Sequence, residues 1–223
     1  MNHRSLIWRF VALSFGILCA DHAIAQDRGV AGQGRIYVGG AVGQGGYDAD
    51  FERTKAVIRG TGATAFSVSA NKTDTMWKGY LGYRFNPYVS VEAGYWDFGK
   101  VDLSATISAP TATSMQRSIS ASGMGASAVF WVPVSNSWSG LVKAGAMRTE
   151  TKASAGDVGG GLTGVPAESS TKLNSHWGVG VEYRLTPAAA ARIEYENVRK
   201  VGDDTKFGTA DIIMWTVGAS YRF

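Results

Sequence analysis

From about residue 35 onward, apolar and polar side chains alternate with a period of two. In the final stretch, Trp215, Val217, Ala219, Tyr221 and Phe223 hold one parity, and Thr216, Gly218, Ser220 and Arg222 the other. In 76–85, Trp77, Leu81, Tyr83 and Phe85 share a parity with Gly79, whereas Lys78, Tyr80, Gly82 and Arg84 share the opposite one. Such alternation marks strands with one greasy and one wet face. It predicts eight of them, at about Arg35–Gln44, Met76–Phe85, Tyr88–Phe98, Ser120–Val134, Trp138–Thr149, His176–Leu185, Ala189–Val201 and Ile212–Phe223.

The connections alternate in length. Asn86-Pro87, Ser135-Asn136-Ser137 and Thr186-Pro187-Ala188 are built of turn-forming residues. Between them lie Tyr47–Thr75, Gly99–Ile119, Thr151–Ser175 and the shorter Gly202–Asp211, rich in Gly, Ser, Thr and Ala and expected as loops. Strands of about ten residues, joined by short turns at one end and long loops at the other, predict an all-β, eight-stranded antiparallel up-and-down transmembrane β-barrel. A soluble eight-stranded barrel would turn its apolar faces inward. Here the wet face sets glycine and tyrosine between two cations, which suits a narrow polar lumen. Trp77, Tyr95 and Trp215 near the long loops, and Phe85, Trp138, Tyr221 and Phe223 near the short turns, would form two interfacial girdles.

Composition narrows the address. Residues 1–25 have basic Arg4 and Arg9, an apolar run from Phe10 to Ala20, and Ala23-Ile24-Ala25. That is the pattern of a cleaved secretory signal, its apolar run too short to span a bilayer as a helix. Residues 26–34 are expected as a short N-terminal segment, and 35–223 as the barrel. Cys19, the only cysteine, is preceded by Leu18 rather than a small residue, which argues against lipidation, and its removal leaves no disulfide or thiolate site. Losing Arg4, Arg9 and Asp21 takes 22 basic and 18 acidic residues to 20 and 17, a scattered net charge of +3. No clustered basic face for nucleic acid is evident.

Projecting the polar parity inward gathers Lys78, Arg84, Lys143, Arg184, Arg192 and Arg222 against Glu92, Glu182, Glu194 and Glu196. Glu182 and Arg192 fall on adjacent antiparallel strands and face the same side. Charges in a filled eight-stranded interior need partners, so a salt-bridged plug is expected and a gated narrow pore is the alternative. Glu194 and Glu196, at i and i+2, read as members of this network rather than an acid–base pair. Nucleophilic chemistry needs a base beside a hydroxyl, and the mature chain offers only His176, at the outer end of its strand with no orienting carboxylate adjoining it in sequence. It is expected as an interfacial polar residue. Gly159-Gly160-Gly161 lacks the lysine and helix of a phosphate loop, and one histidine without cysteine makes no typical metal site. No catalytic, cofactor or metal residues are assigned.

Two hairpins carry a specific resemblance. Gly79-Tyr-Leu-Gly-Tyr-Arg-Phe-Asn-Pro-Tyr-Val-Ser-Val-Glu-Ala-Gly-Tyr95 with Asp97-Phe98-Gly99, and Gly180-Val-Glu-Tyr-Arg-Leu-Thr-Pro-Ala-Ala-Ala-Ala-Arg-Ile-Glu-Tyr195 with Val201-Gly-Asp203, resemble hairpins of the OmpA-type transmembrane domain. Gly218, Tyr221 and Phe223 resemble the C-terminal signal read by the barrel-assembly machinery of Gram-negative outer membranes. The resemblance implies residence in that membrane among lipid and lipopolysaccharide, with long loops extracellular and the turns and C-terminus periplasmic. It implies an inward glutamate at Glu92 and a basic lumen residue where this chain has Val129. The long members of the family continue into a peptidoglycan-binding domain. This chain stops at Phe223, so a stand-alone barrel is expected and peptidoglycan binding is not carried over. The function expected is structural or surface-interacting (adhesin-like), with an extracellular ligand or host surface as possible partner. A low-conductance porin-like channel is the alternative. A lipid A-modifying barrel enzyme is less favoured, because its deacylase form resembles a His-x-Ser pattern that this chain lacks.

Overall fold

The computed structural model describes residues 35–49, 65–71, 73–109, 113–154, 157–158, 167–203 and 208–223. The signal segment, residues 26–34 and Gly159–Gly161 lie outside them. Ten strands run in chain order: β1 Ile36–Ala49, β2 Ala65–Asn71, β3 Thr73–Asn86, β4 Val89–Ala109, β5 Thr113–Pro133, β6 Trp138–Ala153, β7 Asp157–Val158, β8 Glu168–Arg184, β9 Ala189–Asp203 and β10 Gly208–Arg222. Eight of them form the ring β4-β3-β1-β10-β9-β8-β6-β5, and β5 pairs back onto β4. Every pairing is antiparallel, so the eight-stranded up-and-down barrel is the fold. β2 continues beside β4 beyond the end of β3, and β7 pairs with β5 at Met115 and Gln116.

Closure follows from the alternation. Outward side chains such as Val42, Leu81, Val132, Val179 and Val217 are exposed, while those of opposite parity are buried. That is the inverse of a water-soluble barrel. Aromatic side chains mark both rims. Trp77 packs on Tyr95, Tyr195 sits between Trp177 and Trp215, and toward the turns Tyr83 meets Phe85, Trp138 meets Tyr183 and Tyr221 meets Phe223. Such rings favour the headgroup level, one edge in lipid and one in water.

All three short turns close by one device. Asn86 Oδ1 accepts from the Tyr88 and Val89 amides at 2.8 and 2.9 Å. Ser135 Oγ accepts from Ser137 and Trp138, and Thr186 Oγ1 from Ala188 and Ala189. Each side chain stands in for backbone acceptors that the reversing chain cannot supply.

The opposite end corrects the expected loops. β4 and β5 have 21 residues each and stay paired to Ile107↔Thr113, well inside the segment 99–119. β6 runs on to Ala153, β8 begins at Glu168, β10 begins at Gly208, β1 ends at Ala49 and β2 lies inside 47–75. Crossing the hydrocarbon takes about ten residues, so β4 and β5 continue some ten residues beyond the girdle. Val101, Leu103, Ala105 and Ile107 alternate with Asp102, Ser104, Thr106 and Ser108, which is the strand signal in a region rich in small hydroxyl residues. A bulge at Phe98-Gly99, with Gly99 at φ 68°, marks the point of exit. Asp74 fastens it, its Oδ2 accepting from the Lys100 amide at 2.7 Å and its Oδ1 from its own neighbour Thr75 at 2.7 Å. The bond from the Lys100 amide, then that from Thr75, holds the Asp74 carboxyl below the usual range.

Candidate functional site

The lumen is filled in layers. Toward the long-loop end lies an apolar layer that includes Tyr47, Met76, Trp96, Phe98, Met147, Ile212 and Met214. Toward the turns lies a smaller cluster of Tyr37, Tyr80, Val129, Trp131 and Leu141. Between and around these sits an ionic layer in which Lys78, Lys143, Arg192, Glu92, Glu194 and Glu196 are each no more than 3% exposed.

Arg192 on β9 is the hub of one half. Its Nη1 donates to Glu92 Oε1 at 2.7 Å across the lumen, and its Nη2 and Nε donate to Glu182 Oε2 at 3.0 and 3.3 Å. Glu182 is its register partner on β8. The guanidinium also lies over the rings of Tyr80 and Trp131, at 4.8 and 5.0 Å. Tyr37 donates to Glu92 Oε1 at 2.9 Å. In the other half, Lys78 on β3 spans the lumen to Glu194 and Glu196 on β9, at 2.9 and 2.8 Å. Lys143 on β6 pairs with both of the same carboxylates and lies 3.9 Å from Glu92. Arg84 reaches Glu182 Oε1 at only 3.8 Å and stacks over Trp131 at 4.0 Å. Four carboxylates thus meet four cations. A lone charge at this depth would cost several kcal/mol, and the mutual pairing removes that cost.

Inward glycines let these side chains meet. Gly178 stands in register between Lys143 and Glu196, and a Cβ there would lie 3.1 Å from Lys143 Cε and 3.0 Å from Glu196 Cγ. Gly145 similarly separates Ser127 from His176. A side chain at either place would block the cross-strand contact.

Of the predicted network, Glu92, Glu182, Arg192, Glu194, Lys78 and Lys143 come together. Arg84 joins at the edge, and Arg184 stands apart beside Arg222 in a depression at the turn end. Val129, where the resemblance implies a cation, is fully buried among aromatic and apolar side chains, and its register partner Lys143 brings the positive charge from the next strand. Gly218, Tyr221 and Phe223 lie at the end of β10, Tyr221 and Phe223 exposed on its outer face.

His176 requires a correction. It is not at the interface but 2% exposed inside the lumen. Its Nε2 is 3.0 Å from Glu196 Oε1, its Nδ1 3.1 Å from Ser127 Oγ, and its ring meets Trp96 edge-on at 5.4 Å. The carboxylate missing from the neighbouring sequence comes from the adjacent strand. Counting parity back from Glu182 through Gly180 and Gly178 would have placed His176 inward. The lumenal aromatics Trp96 and Phe98 share the parity of Glu92 on the same strand, and Trp131 sits on β5, which supplies none of these charges, so neither group stood out in the alternation.

A closed ring with a polar packed lumen, an apolar outer belt and aromatic rims defines an integral outer-membrane β-barrel. The model of the OmpA-like transmembrane domain matches residues 32–223, and the chain belongs to that family. Outer membrane protein A of Salmonella typhi is 30% identical over 145 residues, covering 64% of this chain and 38% of that protein. Its counterpart from Serratia marcescens is 29% identical over 147 residues, covering 65% and 38%. The chain therefore spans little more than a third of these curated relatives. Among solved structures, the outer membrane protein OprG from Pseudomonas aeruginosa shares the fold, with a TM-score of 0.53 at 10% identity, covering 86% of this chain and 97% of that one.

Proposed function

We propose that this protein is a closed structural barrel of the Gram-negative outer membrane, without enzymatic activity, that presents its long-loop end to the cell exterior for surface interaction. The observation that carries this reading is the filled lumen. Ionic and apolar layers stack across the bore, and side chains from opposite walls meet directly at Arg192–Glu92 and Lys78–Glu196. An ion crossing such a bore must first break buried pairs, each costly to open from one side. Ser127, His176 and Glu196 have the residue types of a nucleophilic triad, but Lys78 and Lys143 neutralise the glutamate and Trp96 covers the ring. Packing of that kind supports a structural role. The paired strands beyond the girdle give the long-loop end an ordered polar face, with Ser67, Ser69, Thr106, Ser114 and Gln116 exposed, on which a ligand or host surface would act. Outer-membrane lipid and lipopolysaccharide would surround the belt.

Planar-bilayer recording on refolded protein is the test. The proposal expects no steady conductance from the wild type and channel activity only when Arg192 is removed. Steady conductance by the wild type would move the protein to the porin-like reading. In the same framework, Gly218, Tyr221 and Phe223 serve as the assembly signal. Phe223→Ser should lower the amount in the outer-membrane fraction far more than it lowers the stability of refolded barrel. Equal accumulation of mutant and wild type would refute that role.

A further inference from the structure

The outer wall holds an arginine that none of the ion pairs at the long-loop end takes up. Along β6, Met147, Thr149 and Thr151 are buried, so Arg148, Glu150 and Lys152 point outward and are exposed. Glu150, the carboxylate on this face of β6, is engaged by Lys152 at 3.1 Å. Elsewhere at this end Arg199 lies 3.9 Å from Asp211, and Lys172 3.5 Å from Asp203. Arg148 has no hydrogen bond or ion pair among the described residues. In register it stands between Met124 of β5 and Leu173 of β8. Met124 is in turn the register partner of Tyr95, which belongs to the aromatic rim. Met124 is 67% exposed, and Leu173, at 77%, is the most exposed large apolar side chain among the described residues. A guanidinium is thus set between two bare apolar side chains, on the row of side chains that carries the rim.

We propose that Arg148, Met124 and Leu173 form a docking site for a phosphorylated glycolipid of the outer leaflet, of the lipid A class. The leaflet rests on the reading above that the long-loop end faces the exterior; the chemistry of the site does not. Met124 and Leu173 continue the apolar belt upward and lie against acyl chains, as the stem of Arg148 does. Its guanidinium, at the boundary of hydrocarbon and headgroup, offers paired coplanar N–H donors that match two oxygens of one phosphate. A phosphate monoester on a sugar presents three unesterified oxygens and close to two charges, whereas the diester of a glycerophospholipid presents two oxygens and one charge. Trp177, on the same outward face of β8 as Leu173, adds an amphipathic ring at the headgroup level.

The test refolds the full barrel into symmetric phosphatidylcholine vesicles doped with lipid A, extracts it in mild detergent and counts retained lipid by mass spectrometry of the intact complex. Symmetric vesicles offer the lipid to both ends of the barrel, so the result is independent of orientation, which labelling of the long-loop end on whole cells checks separately. The wild type should retain lipid A, and Arg148→Gln should retain on the order of tenfold less, as expected when a charge-assisted hydrogen bond is lost. Leu173→Ser should also weaken retention. Lipid A stripped of its phosphates, and phosphatidylglycerol at the same mole fraction, should be held no better by the wild type than by Arg148→Gln. Arg199→Gln, which removes a cation beside Asp211, should behave as the wild type. A gel shift on boiling verifies that each variant is a closed barrel. If Arg148→Gln does not close, the comparison of lipid A with its dephosphorylated form on the wild type carries the test. Wild-type retention by Arg148→Gln, or equal retention of lipid A with and without its phosphates, overturns the proposal. Preferential retention of phosphatidylglycerol through Arg148 overturns the choice of lipid.

Discussion

The ionic layer and the apolar layer fill the same bore by opposite means. Around Arg192 every charge is held by at least one partner from another strand, and the layer is specific but unforgiving. Around Met76, Phe98 and Met214 the contacts carry no direction, and an apolar side chain of similar volume would serve. The contrast shows that a lumen facing away from lipid need not be polar throughout. It needs polar groups only where they can be paired, and elsewhere it packs like the core of a soluble protein.

The strongest way to break this contrast is Arg192→Ala. It leaves Glu92 and Glu182 without their shared partner, and urea unfolding in lipid vesicles should show a loss of about 3–5 kcal/mol, the range for breaking a buried pair from one side. Arg192→Met with Glu182→Gln should recover much of that loss. A single mutant as stable as wild type would mean that water bathes the layer. In the apolar layer, Met147→Ala should cost about 2–4 kcal/mol through lost burial and a residual cavity. The same unfolding measurement checks it, and a loss near zero would show that the bore is hydrated there. His176→Gln sharpens the boundary between the layers. Glu196 keeps Lys78 and Lys143, so only about 1 kcal/mol, roughly one hydrogen bond, should be lost.

The smallest effect lies outside the membrane, at Asp74. Its folded-state pKa is depressed by backbone donors. The stabilisation it gives the bulge is therefore present above the unfolded-state value of about 3.9 and is lost as pH falls through the lower folded value. Amide exchange at Lys100, corrected for intrinsic rate, should lose protection over that acid range. Asp74→Asn should lower protection at neutral pH and flatten the dependence. Equal protection in both proteins at neutral pH would show that the carboxylate does not fasten the bulge.

Much of this architecture was legible in alternation alone. Parity placed Lys78, Tyr80, Gly82 and Arg84 inward, and the three turns stood out as Asn, Pro, Ser and Thr clusters. Parity also held the position of His176, hidden because its partners Glu196 and Ser127 are distant in sequence and meet it only through barrel closure and the gap at Gly145. Met76, Trp96 and Phe98 were illegible for another reason. Apolar side chains on the polar parity look like a change of face, and the bulge at Gly99 then shifts the parity, so that Phe98 and Val101 both point inward. The strands beyond the girdle are hard to read in the sequence because Gly, Ser, Thr and Ala dominate there and blur the contrast that the bilayer imposes elsewhere.

The three hairpins closed by Asn86, Ser135 and Thr186 join residues that are near neighbours along the chain. The seam between β1 and β10 joins Tyr37 to Arg222, nearly the whole barrel apart in sequence. Contacts of such high contact order carry the largest loop-closure entropy cost of any pairing in the ring. Tyr37, Ser220 and Arg222, which line the arginine-bearing mouth at the turn end, belong to that seam. The mouth therefore exists as a surface only where the two ends of the barrel sequence are paired.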